Sequence, residues 1–234
     1  MRTLTEAIRY PVTSEDWIRT ILIGGILSFL GFLLIPILLV YGYLMGVIRE
    51  SRADTQGLPT FGDWGTLLVD GVKAFLIGVV YMLIPLIVGT VTVGASLLAM
   101  LTGTDAGLAI GLNGLFLGLV GTGILTIVFG YVAVAGIVHF ALEERFGAAF
   151  DLGSLKPVLL HRDYAVAWLL SVLVLLAAGF INGLLAEITF GTVIGAFVGF
   201  YAAIVAAVLW GDGFSDAAET PETMQTQPVD ETIA

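Results

Sequence analysis

The sequence predicts an all-α, polytopic transmembrane helix bundle. It has four full spans plus an N-terminal re-entrant or kinked apolar segment, with short interfacial amphipathic helices between them. Three observations lead there. First, 58% of the 234 residues are hydrophobic and only 12% are charged, with a mean hydropathy of +1.03, whereas soluble domains carry roughly 25% charged residues. Second, five stretches lack any Asp, Glu, Lys or Arg: Ile21–Ile48, Ala74–Leu101, Ala106–Phe140, Tyr164–Ala186 and Ile188–Trp210. About 20 helical residues cross a bilayer core, and each stretch is at least that long. Third, the nine bases avoid every second connection between the stretches.

This composition disfavours a soluble globule, a nucleic-acid binder and a disulfide scaffold together. The absence of cysteine excludes thiolate metal sites and cysteine catalysis. The net charge of −10 comes with only two lysines, Lys73 and Lys156. An acidic, lysine-poor surface suits a cytoplasm of high ionic strength, where repulsion between carboxylates is screened over a few ångströms. The alternative is an acidic tail on an ordinary protein, Asp212 to Glu231 alone holding six acids.

Met1–Arg19 is polar and reads as interfacial, with Trp17 at the membrane boundary and Ser14 as a helix cap. No cleavable signal peptide is expected there. Ile21–Ile48 holds Gly24, Gly25, Gly31 and Pro36. It reads either as one tilted span or as two half-helices that dip in and return. The connections 49–73 and 142–163 hold three bases each, and those near Thr102–Asp105 and Glu187 hold none. The positive-inside rule therefore places the first two in the cytoplasm. The N-terminal segment also has three bases, which favours the hairpin and a cytoplasmic N-terminus. The C-terminus is cytoplasmic in both versions.

A turn-rich patch, Asp54 to Pro59, precedes Phe61–Lys73. There Phe61, Trp64, Leu67, Leu68 and Val72 recur at helical spacing opposite Asp63, Asp70 and Lys73, as in a helix lying in the membrane surface. Asp63-Trp-Gly-Thr-Leu67 recurs as Asp151-Leu-Gly-Ser-Leu155, a faint internal repeat. Ala106–Gly114 is an interfacial lead-in to the third stretch. Residues 1–211 form a single transmembrane domain, and 212–234 an acidic, disordered cytoplasmic tail.

Polar groups inside a bilayer are the default functional candidates. Asn113, Asn182 and Glu187 are the transport or interhelical positions, Glu187 being foremost a hairpin turn. Gly191, Gly195 and Gly199 form a small-residue ladder on the last span, and Gly114 with Gly118 (like Gly107 with Gly111) another on the third. Such ladders let helix backbones approach closely. His139 and Glu143 lie one turn apart, too few ligands for a metal centre. No nucleophile motif, phosphate loop or pair of carboxylates within a span occurs, so no catalytic residue, cofactor or metal is expected.

Several runs resemble a known family. They are Ala7-Ile-Arg-Tyr-Pro11, Glu15-Asp-Trp17, Ile21-Leu-Ile-Gly-Gly25, Ile35-Pro36, Gly42-Tyr-Leu44, Val47-Ile-Arg49, Leu58-Pro59, Asp63-Trp-Gly65 and Val69-Asp-Gly-Val-Lys73. Further on, Phe146-Gly-Ala-Ala-Phe150, Tyr164-Ala-Val-Ala-Trp168 and Phe200-Tyr201 fit more loosely. Together they resemble the multi-pass membrane proteins of domain of unknown function 4013, common in halophilic archaea. The resemblance implies an archaeal membrane protein with an unusual first hairpin, and it brings no activity. The expectation is a non-enzymatic membrane scaffold or accessory subunit of the cell membrane, the alternative a small transporter or channel. Its partners are the lipid bilayer, other membrane proteins or a second copy of itself, with no nucleic acid.

Overall fold

Thr3 opens the first helix, α1 (Leu4–Arg9), with a capping box. The Thr3 hydroxyl accepts from Glu6 N–H and the Glu6 carboxylate from Thr3 N–H, which satisfies two of the end donors of a short helix. The computed structural model describes residues 2–52 and 57–225. Asp54–Gln56 of the turn-rich patch and residues 226–234 lie outside the described residues. After a 3-10 turn at Tyr10–Val12 come α2 (Trp17–Phe29), α3 (Leu34–Arg52), α4 (Trp64–Met100), α5 (Asp105–Glu143), α6 (Leu152–Leu159), α7 (Arg162–Leu185) and α8 (Gly191–Gln225). Helices α3, α4, α5, α7 and α8 are long and apolar enough to cross a membrane, and α2 is a shorter apolar helix. The chain is an all-α polytopic bundle.

The first apolar stretch is broken. Leu30–Phe32 tightens to a 3-10 turn and Leu33 is extended. Pro36 falls in the first turn of α3, where its missing N–H has no intrahelical partner to lose. A Cβ on Gly24 or Gly25 would strike Phe200 or Phe197 respectively, so α2 runs against α8. Tyr43 meets Phe200, and a Cβ on Gly211 would meet Ser51, so α3 runs with α8. The two halves are therefore antiparallel, as a hairpin requires.

Contacts divide the chain into two compact units, residues 1–75 with 135–234, and residues 76–134. In the first unit the last helix forms the core. Ile204, Ala206, Ala207, Val208 and Leu209 are fully buried, and a helix apolar on every side belongs inside others. All nine bases belong to this unit. The second unit is the antiparallel pair made by parts of α4 and α5, and Asp105 is its one charged residue.

Four sequence readings are corrected. Phe61–Lys73 is no separate surface helix, because Trp64–Met100 is one continuous helix. Ala106–Gly114 likewise belongs to the continuous α5. Ser14 does not cap with its hydroxyl; its carbonyl accepts from Trp17 N–H. The disorder expected from residue 212 does not hold for 212–225, which continue α8. Composition suggested disorder, but Phe214 and Ala217 are buried and Asp212 has a partner. The Arg2 backbone N–H and guanidinium both donate to the Asp212 carboxylate, at 3.3 and 2.9 Å.

The faint repeat has a physical meaning: both copies are helix caps. Gly65 and Thr66 N–H each donate to Asp63 Oδ1 at 3.1 Å, and the Thr66 hydroxyl donates to Oδ2 at 2.7 Å. Gly153 and Ser154 N–H donate to Asp151 Oδ1 at 3.0 and 3.4 Å, and the Ser154 hydroxyl to Oδ2 at 2.9 Å. Hydrogen bonds from Thr66 and Ser154 hold these carboxyls below the usual aspartate range, because they favour the charged form. A lowered folded-state pKa contributes stability that is complete above the unfolded pKa and fades as pH falls through the folded one. The double variant Asp63→Asn/Asp151→Asn is therefore expected to melt lower than wild type near neutral pH, with the two curves converging only once the pH has fallen through the lowered folded-state pKa values. Melting in detergent from pH 7 downward checks it, and parallel curves would refute it.

Candidate functional site

The polar and small residues singled out in the apolar stretches do not converge on one place. Asn182, Gly195 and Gly199 come together in the first unit. A Cβ on Gly195 would lie 2.9 Å from Asn182 Oδ1, and one on Gly199 would lie 3.6 Å from its Nδ2. The amide of α7 thus occupies the notch left by two glycines of α8. Its Oδ1 is buried and has no hydrogen-bond partner among the described residues. Beside it runs a groove of about 400 Å³ bordered by Ile37, Tyr41 and Leu44 of α3 and floored by Gly195, Ala196 and Gly199.

Gly191 and Glu187 belong to the turn between α7 and α8. A Cβ on Gly191 would come 1.6 Å from Leu185 O, so that position admits glycine alone. Glu187 is exposed, and Phe190 closes the turn with φ +64°. In the second unit, Gly114 faces Ser96 and Gly118 faces Thr92. The Ser96 and Thr92 hydroxyls bond back to carbonyls of their own helix, Thr92 O and Val88 O, which leaves short, satisfied groups against the glycines. Asn113 is exposed and its Nδ2 donates to Ala109 O at 2.8 Å. Every ladder glycine thus meets the chain's own atoms.

His139 and Glu143 have structural neighbours too. His139 Nδ1 lies 2.9 Å from Ala148 O, and its ring stacks on Phe214. His161 accepts from Asp163 N–H as the cap of α7. Among the described residues no group of three or more His, Asp or Glu is placed to hold a metal.

Sequence reasoning missed the close seam between α3 and α4. A Cβ on Gly42 would lie 1.8 Å from Leu67 O, and one on Gly71 1.8 Å from Leu38 O, so α3 and α4 touch backbone to backbone in both directions. Arg49 sits at the end of that seam. Its Nη1 donates to Asp70 Oδ2 at 2.7 Å, its Nε donates to Ala141 O at 2.9 Å, and Glu144 lies at 3.4 Å. One guanidinium ties α3, α4 and the end of α5. The available signal was the clustering of Gly42, Arg49, Asp70 and Gly71 in the runs that carry the family resemblance.

The Asn182 notch yields a direct expectation. Gly195→Leu should force α7 from α8 and lower the melting temperature, and Asn182→Ala in the same chain should recover part of the loss, because the amide is what the new side chain meets. Melting curves of the two single variants and the double variant measure the coupling; strict additivity would show that the notch is not tight.

A family model for a protein of unknown function, DUF4013, matches residues 23–187. No curated protein and no solved structure matches the chain. The matched residues run from α2, next to its glycine contact with α8, to the turn that leads into α8, and take in the Gly42–Gly71 seam and its Arg49 clamp. The chain, with five helices long and apolar enough to cross a membrane, belongs to the DUF4013 family.

Proposed function

We propose that this protein is a non-enzymatic membrane scaffold or accessory subunit. The observation that carries the reading is how its intramembrane small and polar residues are used. Gly24, Gly25, Gly42, Gly71, Gly195 and Asn182 are each engaged in holding one helix to another. A conduction path would instead need polar groups turned toward water. Bases gathered in one unit suit a cytoplasmic face, and the acidic, lysine-poor composition suits a salt-rich, haloarchaeal-type cytoplasm. That face is where a partner protein would engage.

The test is affinity purification of the tagged protein from its native membrane in mild detergent, read by mass spectrometry. The expected result is a partner retained in fixed ratio through a second purification step. A protein recovered alone overturns the accessory-subunit reading. One observation favours transport instead: the broken α2–α3 segment beside the groove at Asn182, since transporters build sites from discontinuous helices. Solute uptake by proteoliposomes that Asn182→Ala abolishes would establish that alternative.

A further inference from the structure

Where α2 enters the apolar layer, a small cavity of about 210 Å³ lies between the helix and the strip before α4. Asp16 and Arg19 form its rim, Thr20 and Thr60 its sides, and Ile23 and Phe61 its apolar walls. The Phe61 ring is fixed by stacking on Tyr43 with centroids 4.3 Å apart, so that wall is rigid. The cavity continues into an open trough over Ile18 and Leu22, with Glu15 at its edge.

The rim of this hollow carries one cation and two anions. The Arg19 guanidinium makes no ion pair or hydrogen bond with any described residue, nor do the carboxylates of Asp16 and Glu15. A cation and two anions share one hollow without pairing across it. Arg2, Arg49 and Arg145 each have a carboxylate within 3.4 Å. The exposed Arg9, like Arg19, has none among the described residues, but it has no carboxylates sharing a hollow with it. Below the rim, Ile18, Leu22, Ile26 and Phe29 are exposed by 57, 50, 52 and 43% along one face of α2. The charge-free run begins two residues after Arg19, so the rim stands at headgroup level and the exposed face lies in hydrocarbon.

We propose that this hollow is a binding site for one phospholipid, whose phosphate sits on Arg19, whose headgroup donates hydrogen bonds to Asp16 and Glu15, and whose chain follows Ile18, Leu22 and Ile26. Phosphate alone leaves the two carboxylates repelling it. A headgroup that carries both an anion and hydrogen-bond donors satisfies all three charged side chains. An ammonium and a hydroxyl both supply that donor; a trimethylated ammonium does not. The site is independent of the scaffold reading and stands or falls apart from it.

The experiment is native mass spectrometry of the full-length, delipidated protein with four lipids of one acyl composition: phosphatidylethanolamine, phosphatidylglycerol, phosphatidylcholine and phosphatidic acid. The expected result is that an ethanolamine or glycerol headgroup binds about tenfold tighter than choline or bare phosphate, the size of one charge-assisted hydrogen bond. Which of those two leads identifies the donor as ammonium or hydroxyl. Arg19→Gln should weaken all four lipids, and Asp16→Asn should remove the advantage of the donor headgroups while leaving choline binding unchanged. Arg9→Gln, another exposed base outside the hollow, should change nothing. Equal binding of the four lipids, no effect of Arg19→Gln, or an equal loss with Arg9→Gln each overturns the proposal. All three substituted side chains are exposed, and an unchanged melting temperature separates lost binding from lost fold.

Discussion

Gly71→Ala is expected to be among the most damaging single-methyl additions in this protein. The new Cβ would stand 1.8 Å from the Leu38 carbonyl oxygen, less than any real contact permits. The obstructing atom is backbone, so no side chain can rotate away and α4 must move from α3. Overpacking commonly costs about 1–3 kcal/mol, and a rigid obstacle places this variant at the upper end. Gly42→Ala meets Leu67 O at the same distance and should cost a similar amount. The double variant should lose less than the sum, because one displacement of the seam relieves both clashes. Gly78→Ala is the control: it has open space around it, and its melting temperature should hold or rise slightly. Thermal unfolding in one detergent compares all four, and a neutral Gly71→Ala would mean that the two helices are not in contact.

The second large effect is expected at Arg49. Its guanidinium is about a quarter exposed and the Asp70 carboxylate about a tenth, so the pair is mostly withdrawn from water. Removing one partner of such a pair leaves the other charge desolvated and uncompensated, which costs several times more than breaking a surface ion pair. Asp70→Asn should lower stability by about 2–3 kcal/mol. Arg49→Met should do at least as much, because Ala141 O also loses its donor. Arg49→Met combined with Asp70→Leu should be milder than Arg49→Met alone, since no unpaired charge remains. Unfolding curves of the singles and the double measure the coupling. A double variant as unstable as the summed singles would show that the pair acts through packing and not through charge.

The break in the first apolar stretch was legible because Gly31 and Pro36 mark it and the bases of the N-terminal segment demand a return. The repeated Asp-x-Gly-Ser/Thr-Leu pattern was visible too, though only its hydrogen bonds reveal two helix caps. Other features were not legible for physical reasons. Phe61–Lys73 has surface periodicity, yet nothing between Lys73 and Ala74 stops a helix, so it fuses with the span. The segment after Trp210 is acidic and base-free, which argues for disorder. Its few apolar side chains and Asp212 nevertheless find partners far away in sequence, Arg2 being 210 residues distant. Asn182 stood out as a polar residue in an apolar run, while the notch that receives it depends on the rotation of α8.

The sequence by itself determined that the chain is helical, apolar and multi-pass, because those properties follow from charge-free length and from the local geometry that glycine and proline impose. It also determined which residues are chemically unusual in hydrocarbon. Only the tertiary structure decided what they are for. Whether a glycine is a notch or a void, and whether an arginine is clamped like Arg49 or free like Arg19, depends on which helix faces lie together. Between apolar helices in lipid no hydrophobic drive selects those faces. The choice rests on close fit and on a few buried polar pairs, and both join residues far apart in the chain.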